Sequence, residues 1–165
     1  MTERSVIVVM RPRPVVWEAL AERTSALARL LPHIEIAELK SRRASGRGIV
    51  RCEHVWRARA NVPSLLAPHI DRKLLEWTTR TAWRRRDFSG RWTVFPSSMK
   101  GAALCDGTIR MVPAIGGQGT RVELELLVHR PLVSAGWHSI TSAILAAHFR
   151  KMIGAAARLA AEERN

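Results

Sequence analysis

Residues 119–161 read GTRVELELLVHRPLVSAGWHSITSAILAAHFRKMIGAAARLAA, and the period of the apolar side chains changes within them. Over residues 120–129 the period is two: Val122, Leu124, Leu126 and Val128 alternate with Arg121, Glu123, Glu125 and Leu127. Such alternation marks a strand with one face in a core and the other in water. From Ser134 to Ala161 the period becomes helical, and Trp137, Thr141, Ile144, His148, Met152, Ala155 and Leu159 form one stripe with no proline to interrupt it. A helix of that length runs roughly 42 Å. It can cross the whole concave side of a curved sheet, so the rest of the chain should supply the strands.

It does. Residues 49–59, IVRCEHVWRAR, place Val50, Cys52, His54, Trp56 and Ala58 on one face and Arg51, Glu53, Val55, Arg57 and Arg59 on the other. Residues 73–86 repeat the alternation, with Leu75, Trp77, Thr79, Thr81 and Trp83 against Glu76, Thr78, Arg80 and Arg84. Residues 90–95 and 103–112 predict two more strands, and Gly116-Gly117-Gln118-Gly119 supplies the hairpin turn before 120–129. Upstream, Ser5–Met10 reads as a strand. Pro14 then stands where a first helical turn accepts proline, and Val16, Leu20, Leu27, Leu30 and Leu31 follow at helical spacing. Thr24-Ser25 divides this stretch into two short helices and Pro32 ends it. Ile34–Lys40 predicts a short strand, followed by the turn SRRASGRG.

The 165 residues suit one domain with a proper core, and 47% hydrophobic with 25% charged is globular composition. The charge balance is unusual: Lys+Arg number 27 against 14 Asp+Glu, a net +13. Residues 40–100 hold 15 of those cations and 4 of the acids. A charge gathered in one stretch predicts a basic face and an anionic partner. No apolar run is long enough to span a bilayer, and the run Val6–Met10 is too short for a secretory signal core. Cys52 and Cys105 form no CxxC and no second pair, so neither a disulfide scaffold nor a zinc site is expected. The expected location is the cytoplasm, with peripheral contact to a membrane.

The order strand, two short helices, a run of antiparallel strands and one long closing helix is a specific topology. It resembles the helix-grip fold of the START/SRPBCC superfamily, which includes plant pollen allergens, polyketide cyclases and lipid-transfer domains. Residues 11–20, RPRPVVWEAL, are similar to that superfamily's lead into its first helix, and residues 119–128, GTRVELELLV, to its last strand. The resemblance implies a single α+β domain over 1–165, with a curved antiparallel sheet of about seven strands around the C-terminal helix. It also implies an apolar cavity between them. Residues 60–72, ANVPSLLAPHIDR, are longer than a tight hairpin and apolar enough to cover a cavity mouth through Leu65, Leu66 and Ile70.

The inward parity of the strands and the helix stripe then name the expected ligand-binding set. It comprises Cys52, His54, Trp56, Leu66, Trp77, Thr79, Trp92, Cys105, Ile109, Met111, Leu124, Ile144, His148 and Met152. The list is apolar and rich in Trp, which suits a hydrophobic small molecule, lipid or isoprenoid-like, held by area and oriented by one or two hydrogen bonds. His54 and His148 are its polar members and could serve as acid or base in a cyclase or aromatase. Against catalysis, the acids Glu53, Glu76, Asp106, Glu123 and Glu125 fall on the outer parity, where they pair with Arg51, Arg80, Arg110 and Arg121. Tyr is absent, and Ser97-Ser98 has no neighbouring base. No catalytic residue, metal or cofactor is expected, and Cys52 and Cys105 read as small apolar fillers.

Arg43, Arg57, Arg59, Arg80, Arg84, Arg85 and Arg86 belong to neighbouring segments and predict an anion-contacting surface. An anionic membrane fits that surface best. Nucleic acid fits less well, because most Trp residues fall on the inward parity and leave few aromatics to stack bases. A non-catalytic interaction module working through this face is the third reading.

Overall fold

The computed structural model describes residues 2–59, 72–99, 101–129 and 135–162, with only the backbone described for Arg72, Leu74 and 135–144. The chain runs β1 (Thr2–Val9), α1 (Arg13–Glu22), α2 (Thr24–Ala28), β2 (Ile34–Ala44), β3 (Ile49–Ala58), β4 (Glu76–Arg84), β5 (Ser89–Pro96), β6 (Cys105–Ala114), β7 (Gly119–Val128) and α3 (Ala135–Glu162). The strands form one seven-stranded sheet in the order β1-β7-β6-β5-β4-β3-β2, every neighbouring pair antiparallel. From β2 to β7 the order is a plain meander, and β1 returns beside β7. Helices α1 and α2 pack against α3.

Local chemistry explains the helix ends. Pro14 sits in the first turn of α1, where its missing N–H costs nothing. Val16, Trp17, Leu20 and Ala21 are buried from one side of that helix. At Arg23 the backbone leaves the helical region (φ −123°), which separates α1 from α2. Thr24 Oγ1 donates to Leu20 O at 3.0 Å across the break. The expected pair of short helices is therefore present.

Several boundaries differ from the sequence reading. The first strand begins at Thr2 rather than Ser5, because the ladder with β7 already starts at Thr2↔Leu127. The second strand runs past Lys40 to Ala44, through two register shifts against β3. Arg42, expected in a turn, therefore sits on the strand and reaches Glu22 of α1 at 2.9 Å. At the start of β4, residues 72–75 form a 3-10 turn instead of strand. Phe88 closes the β4–β5 turn with φ 48° and lies edge-on to Trp17, ring centres 6.1 Å apart.

The inner face is built of large rings set against small residues. Trp83 is the register partner of Gly90, and Trp92 that of Gly107. In both pairs the indole lies over the glycine so closely that an added Cβ would fall 2.5 Å from Trp83 and 2.1 Å from Trp92. Trp92 then meets Phe149 of α3 at 4.5 Å between ring centres. Sheet and helix are thus joined by aromatic rings lying low on the strands. The outer face is the opposite, a lattice of cross-strand ion pairs: Arg57–Glu76, Arg80–Glu53, Arg110–Glu123 and Arg4–Glu125.

Candidate ligand-binding site

The space between sheet and α3 follows from that packing. Its lining includes His54 and Trp56 from β3, Thr79 and Trp83 from β4, and Trp92, Ile109 and Leu124 from β5, β6 and β7. Leu20 and Thr24 close it from α1 and α2, and His148, Phe149, Met152 and Ile153 from α3. The volume is small. Only about 40 Å³ is open to the centres of water-sized molecules, against the several hundred Å³ of an ordinary ligand pocket. Trp56, Trp83, Trp92 and Phe149 take up much of the room where the resemblance implied an apolar cavity.

Eight of the fourteen expected ligand-binding residues line this space: His54, Trp56, Thr79, Trp92, Ile109, Leu124, His148 and Met152. Trp77 stands beside it, stacked parallel to Trp56 at 6.2 Å. Cys105 and Met111 are buried in the core without lining it. Cys52 faces a neighbouring groove instead. Leu66 and the proposed mouth at 60–72 lie outside the described residues, apart from the 3-10 turn that begins at Arg72, and Ile144 is described by its backbone alone. The expected set left out Thr81 and Trp83, which parity had placed on the inner face, and parity gave no sign of Leu20, Thr24, Phe149 and Ile153. The helix signal for two of these was present, since Leu145, Phe149, Met152, Ile153 and Ala156 also recur at helical spacing, one position beside the chosen stripe.

Trp92, His54 and His148 carry ring nitrogens in this lining. Trp92 Nε1 is buried and has no hydrogen-bond partner among the described residues, whereas Trp56 Nε1 donates to Thr79 Oγ1 at 3.0 Å. His54 is buried, and among the described residues neither of its ring nitrogens has a hydrogen-bond partner. Burial lowers its imidazole below the ordinary histidine range. His148 stands edge-on to both Trp56 and Trp77, at 5.6 and 5.7 Å.

His148 is held from behind by His33, with Nδ1 of the first 2.9 Å from Nε2 of the second. His33 Nδ1 is buried with no partner among the described residues. A buried lone pair left over costs less than a buried N–H left over. The favoured arrangement therefore has His33 Nε2–H donating to His148 Nδ1, which puts a proton on His148 Nε2. Burial, then the neighbouring His33 and Lys151, push the His148 imidazole down to about 3. At neutral pH it is an uncharged donor, far too weak a base to accept a substrate proton efficiently.

A groove of about 330 Å³ adjoins this space between the α1–α2 junction and β2–β3, and shares Thr24 and His54 with it. The Glu22–Arg42 pair lines that groove. Burial raises the Cys52 thiol, and burial pushes that of Cys105 up to about 12, with Asp106 adding to it. Burial thus disfavours the thiolate form of both. Among the described residues no cluster of His, Cys, Asp and Glu could hold a metal ion, and no helix is long and apolar enough to cross a membrane.

The expected anion-contacting arginines are largely committed. Arg57 binds Glu76, Arg80 binds Glu53 and covers Phe95, and Arg84 binds Asp87. Arg59 donates to Ile34 O and Arg85 lies over Trp17. Arg43 and Arg86 make no ion pair or hydrogen bond with a described residue. Arg51, expected to pair with an acid, makes no ion pair with a described residue: Glu53 is taken by Arg80.

No protein-family model matches the chain, and no curated protein matches it by sequence. Solved structures do match. TTHA0849 from Thermus thermophilus superposes with a TM-score of 0.70 at 15% identity, covering 100% of both chains. The Zhui aromatase/cyclase from Streptomyces sp. R1128 gives 0.68 at 14%, covering 100% of this chain and 96% of that one. A START superfamily protein from Mycobacterium smegmatis gives 0.59 at 12%, covering 96% and 98%. This chain has the helix-grip fold. At such identities the likeness speaks for the fold, which hosts both binding and catalysis.

Proposed function

We propose that the helix-grip chain binds a small hydrophobic molecule carrying a hydrogen-bond acceptor, between its sheet and α3. The observation that carries this reading is Trp92 Nε1, a buried donor without a partner among the described residues, on a residue of a largely apolar lining. An unmet buried donor costs about 1–3 kcal/mol, and a ligand carbonyl or hydroxyl would remove that cost. His54 and the Nε2 of His148 supply further polar contacts. The ligand would enter past Thr24 and His54 and extend into the adjoining groove. A lipid or isoprenoid chain fits only with displacement of Trp92 and Phe149, because 40 Å³ holds no more than a few heavy atoms.

The cyclase reading draws on the fold neighbour named an aromatase/cyclase. It finds less support in the residues: neither His54 nor His148 contacts a carboxylate among the described residues, and His148 is held neutral by its surroundings. Orienting a polar group of the ligand suits both imidazoles better than proton transfer.

Native mass spectrometry of the full chain from its own host, followed by solvent extraction, tests the proposal. A discrete added mass that leaves into organic solvent is expected. As a second arm, the chain is titrated with the dye 1-anilinonaphthalene-8-sulfonate and challenged with the extract. A folded chain that retains no mass and takes up no dye would overturn the reading.

A further inference from the structure

The outer face of the sheet carries a groove of about 680 Å³ that crosses β3 to β7 and reaches β1. Its floor is made of small residues, among them Ala82, Ser89, Gly90 and Thr108. Five arginines line it. Three are committed to carboxylates of the same groove: Arg4 to Glu125 at 3.2 Å, Arg84 to Asp87 at 3.5 Å and Arg110 to Glu123 at 2.7 Å. Those carboxylates are neutralised by the same contacts. The other two, Arg51 and Arg91, make no ion pair or hydrogen bond with any described residue.

The register brings these two together. Arg51 opposes Ala82 on one side, and Arg91 opposes it on the other. Two guanidinium groups therefore rise on either side of a methyl group, from backbones about 10 Å apart. Thr108 follows Arg91 in the same row. On the far side, β2 sets Arg43 directly opposite Arg51. Like charges opposed across strands destabilise a sheet. A row of three arginines without an ion pair to any described residue, two of them over the floor of the groove, is thus a structure that a bound anion would stabilise.

We propose that Arg51 and Arg91, flanking Ala82, form a phosphate-binding site on the outer face of the sheet. The planar guanidinium fork matches phosphate oxygens in pairs, and two forks facing one gap match a multiply charged phosphate or diphosphate. No aromatic side chain among the described residues lines the groove, so recognition is confined to the phosphate and does not extend to a nucleobase. The phosphate comes either from a soluble phosphorylated compound or from the headgroup of an anionic phospholipid. The site is independent of the interior pocket.

The test is calorimetric titration of the full chain with pyrophosphate at low ionic strength, and sedimentation with phosphatidylglycerol and phosphatidylcholine vesicles. The double variant Arg51→Gln/Arg91→Gln is compared with Arg47→Gln/Arg86→Gln, which removes the same charge from exposed positions outside the groove. Circular dichroism verifies that both are folded. A loss of about tenfold or more in pyrophosphate affinity, confined to the groove variant, is expected and assigns the site to soluble phosphates. The same selective loss seen only with phosphatidylglycerol vesicles assigns it to lipid headgroups. Equal losses in both variants, or binding of neither probe by the unmodified chain, would overturn the proposal.

Discussion

The indole of Trp92 lies across Gly107, its register partner on the next strand, so closely that a Cβ on Gly107 would fall 2.1 Å from the ring. The same relationship links Trp83 to Gly90, at 2.5 Å. Two rings therefore lie low over neighbouring strands instead of standing up from them. This gives α3 a close approach to the sheet, and it also narrows the interior to a few tens of Å³.

Gly107→Ala is accordingly expected to force Trp92 off the sheet and into Phe149. Overpacking of this kind costs about 1–3 kcal/mol. Gly46→Ala is the control, because its added Cβ meets nothing within 4 Å. Urea denaturation reads the difference, and near-UV circular dichroism reads the Trp92 environment. Equal stability of the two variants would show that the indole has room to move.

Trp92→Phe and Trp56→Phe separate donor from ring. Both residues are buried, but Trp56 Nε1 has Thr79 Oγ1 at 3.0 Å and Trp92 Nε1 has no described partner. Removing a satisfied donor costs about 1 kcal/mol, whereas removing an unmet one is close to neutral before the change in ring size is counted. Trp56→Phe is therefore expected to be less stable than Trp92→Phe. Trp92→Phe should instead lose about tenfold in affinity for the compound recovered by extraction. A larger stability loss in Trp92→Phe than in Trp56→Phe contradicts the assignment of Trp92 Nε1 as the ligand's donor.

The fold was readable because its two periods are local. Val122 to Val128 and the stripe through His148, Met152, Ala155 and Leu159 each declare their face within a few residues. The inner face of β3 and β4 was readable for the same reason. What was not readable depends on pairing between distant residues. Nothing near Gly107 announces that Trp92 will lie on it, so the narrowness of the pocket had no local signal. Leu20 and Thr24 line the pocket because α1 and α2 close over the sheet, an arrangement no strand parity encodes. The His33–His148 contact joins residues 115 apart in sequence. On the outer face, parity placed the arginines correctly, but only the register decides which carboxylate takes which cation, and hence that Arg51 and Arg91 are left over.

Both thiols should resist alkylation in the native chain. Cys52 and Cys105 are buried, and burial raises both thiols, that of Cys105 to about 12. The thiolate is the reactive form, so iodoacetamide near neutral pH is expected to label neither until the chain is unfolded in urea. Mass spectrometry of the modified chain counts the labels. Rapid native labelling of Cys105 would mean that β6 opens to solvent.

The histidine pair makes stability fall in acid. His148 titrates at about 3 in the folded chain, mainly through burial, and near the ordinary value of about 6.5 when unfolded. Between those values the unfolded chain holds a proton that the folded chain does not, so stability rises with pH across that window. The contribution is complete above about pH 6.5 and is lost progressively as pH falls toward about 3. His33 and His54 are also lowered by burial and act in the same direction. From about pH 7 to about pH 5 His148 alone accounts for roughly 2 kcal/mol, or about 1 M in the urea midpoint. His148→Gln should remove most of that slope while leaving the fold intact at neutral pH. Urea titrations in small pH steps from neutral down to mild acid measure both slopes, and equal slopes would mean that His148 is already protonated, or freely solvated, in the native chain.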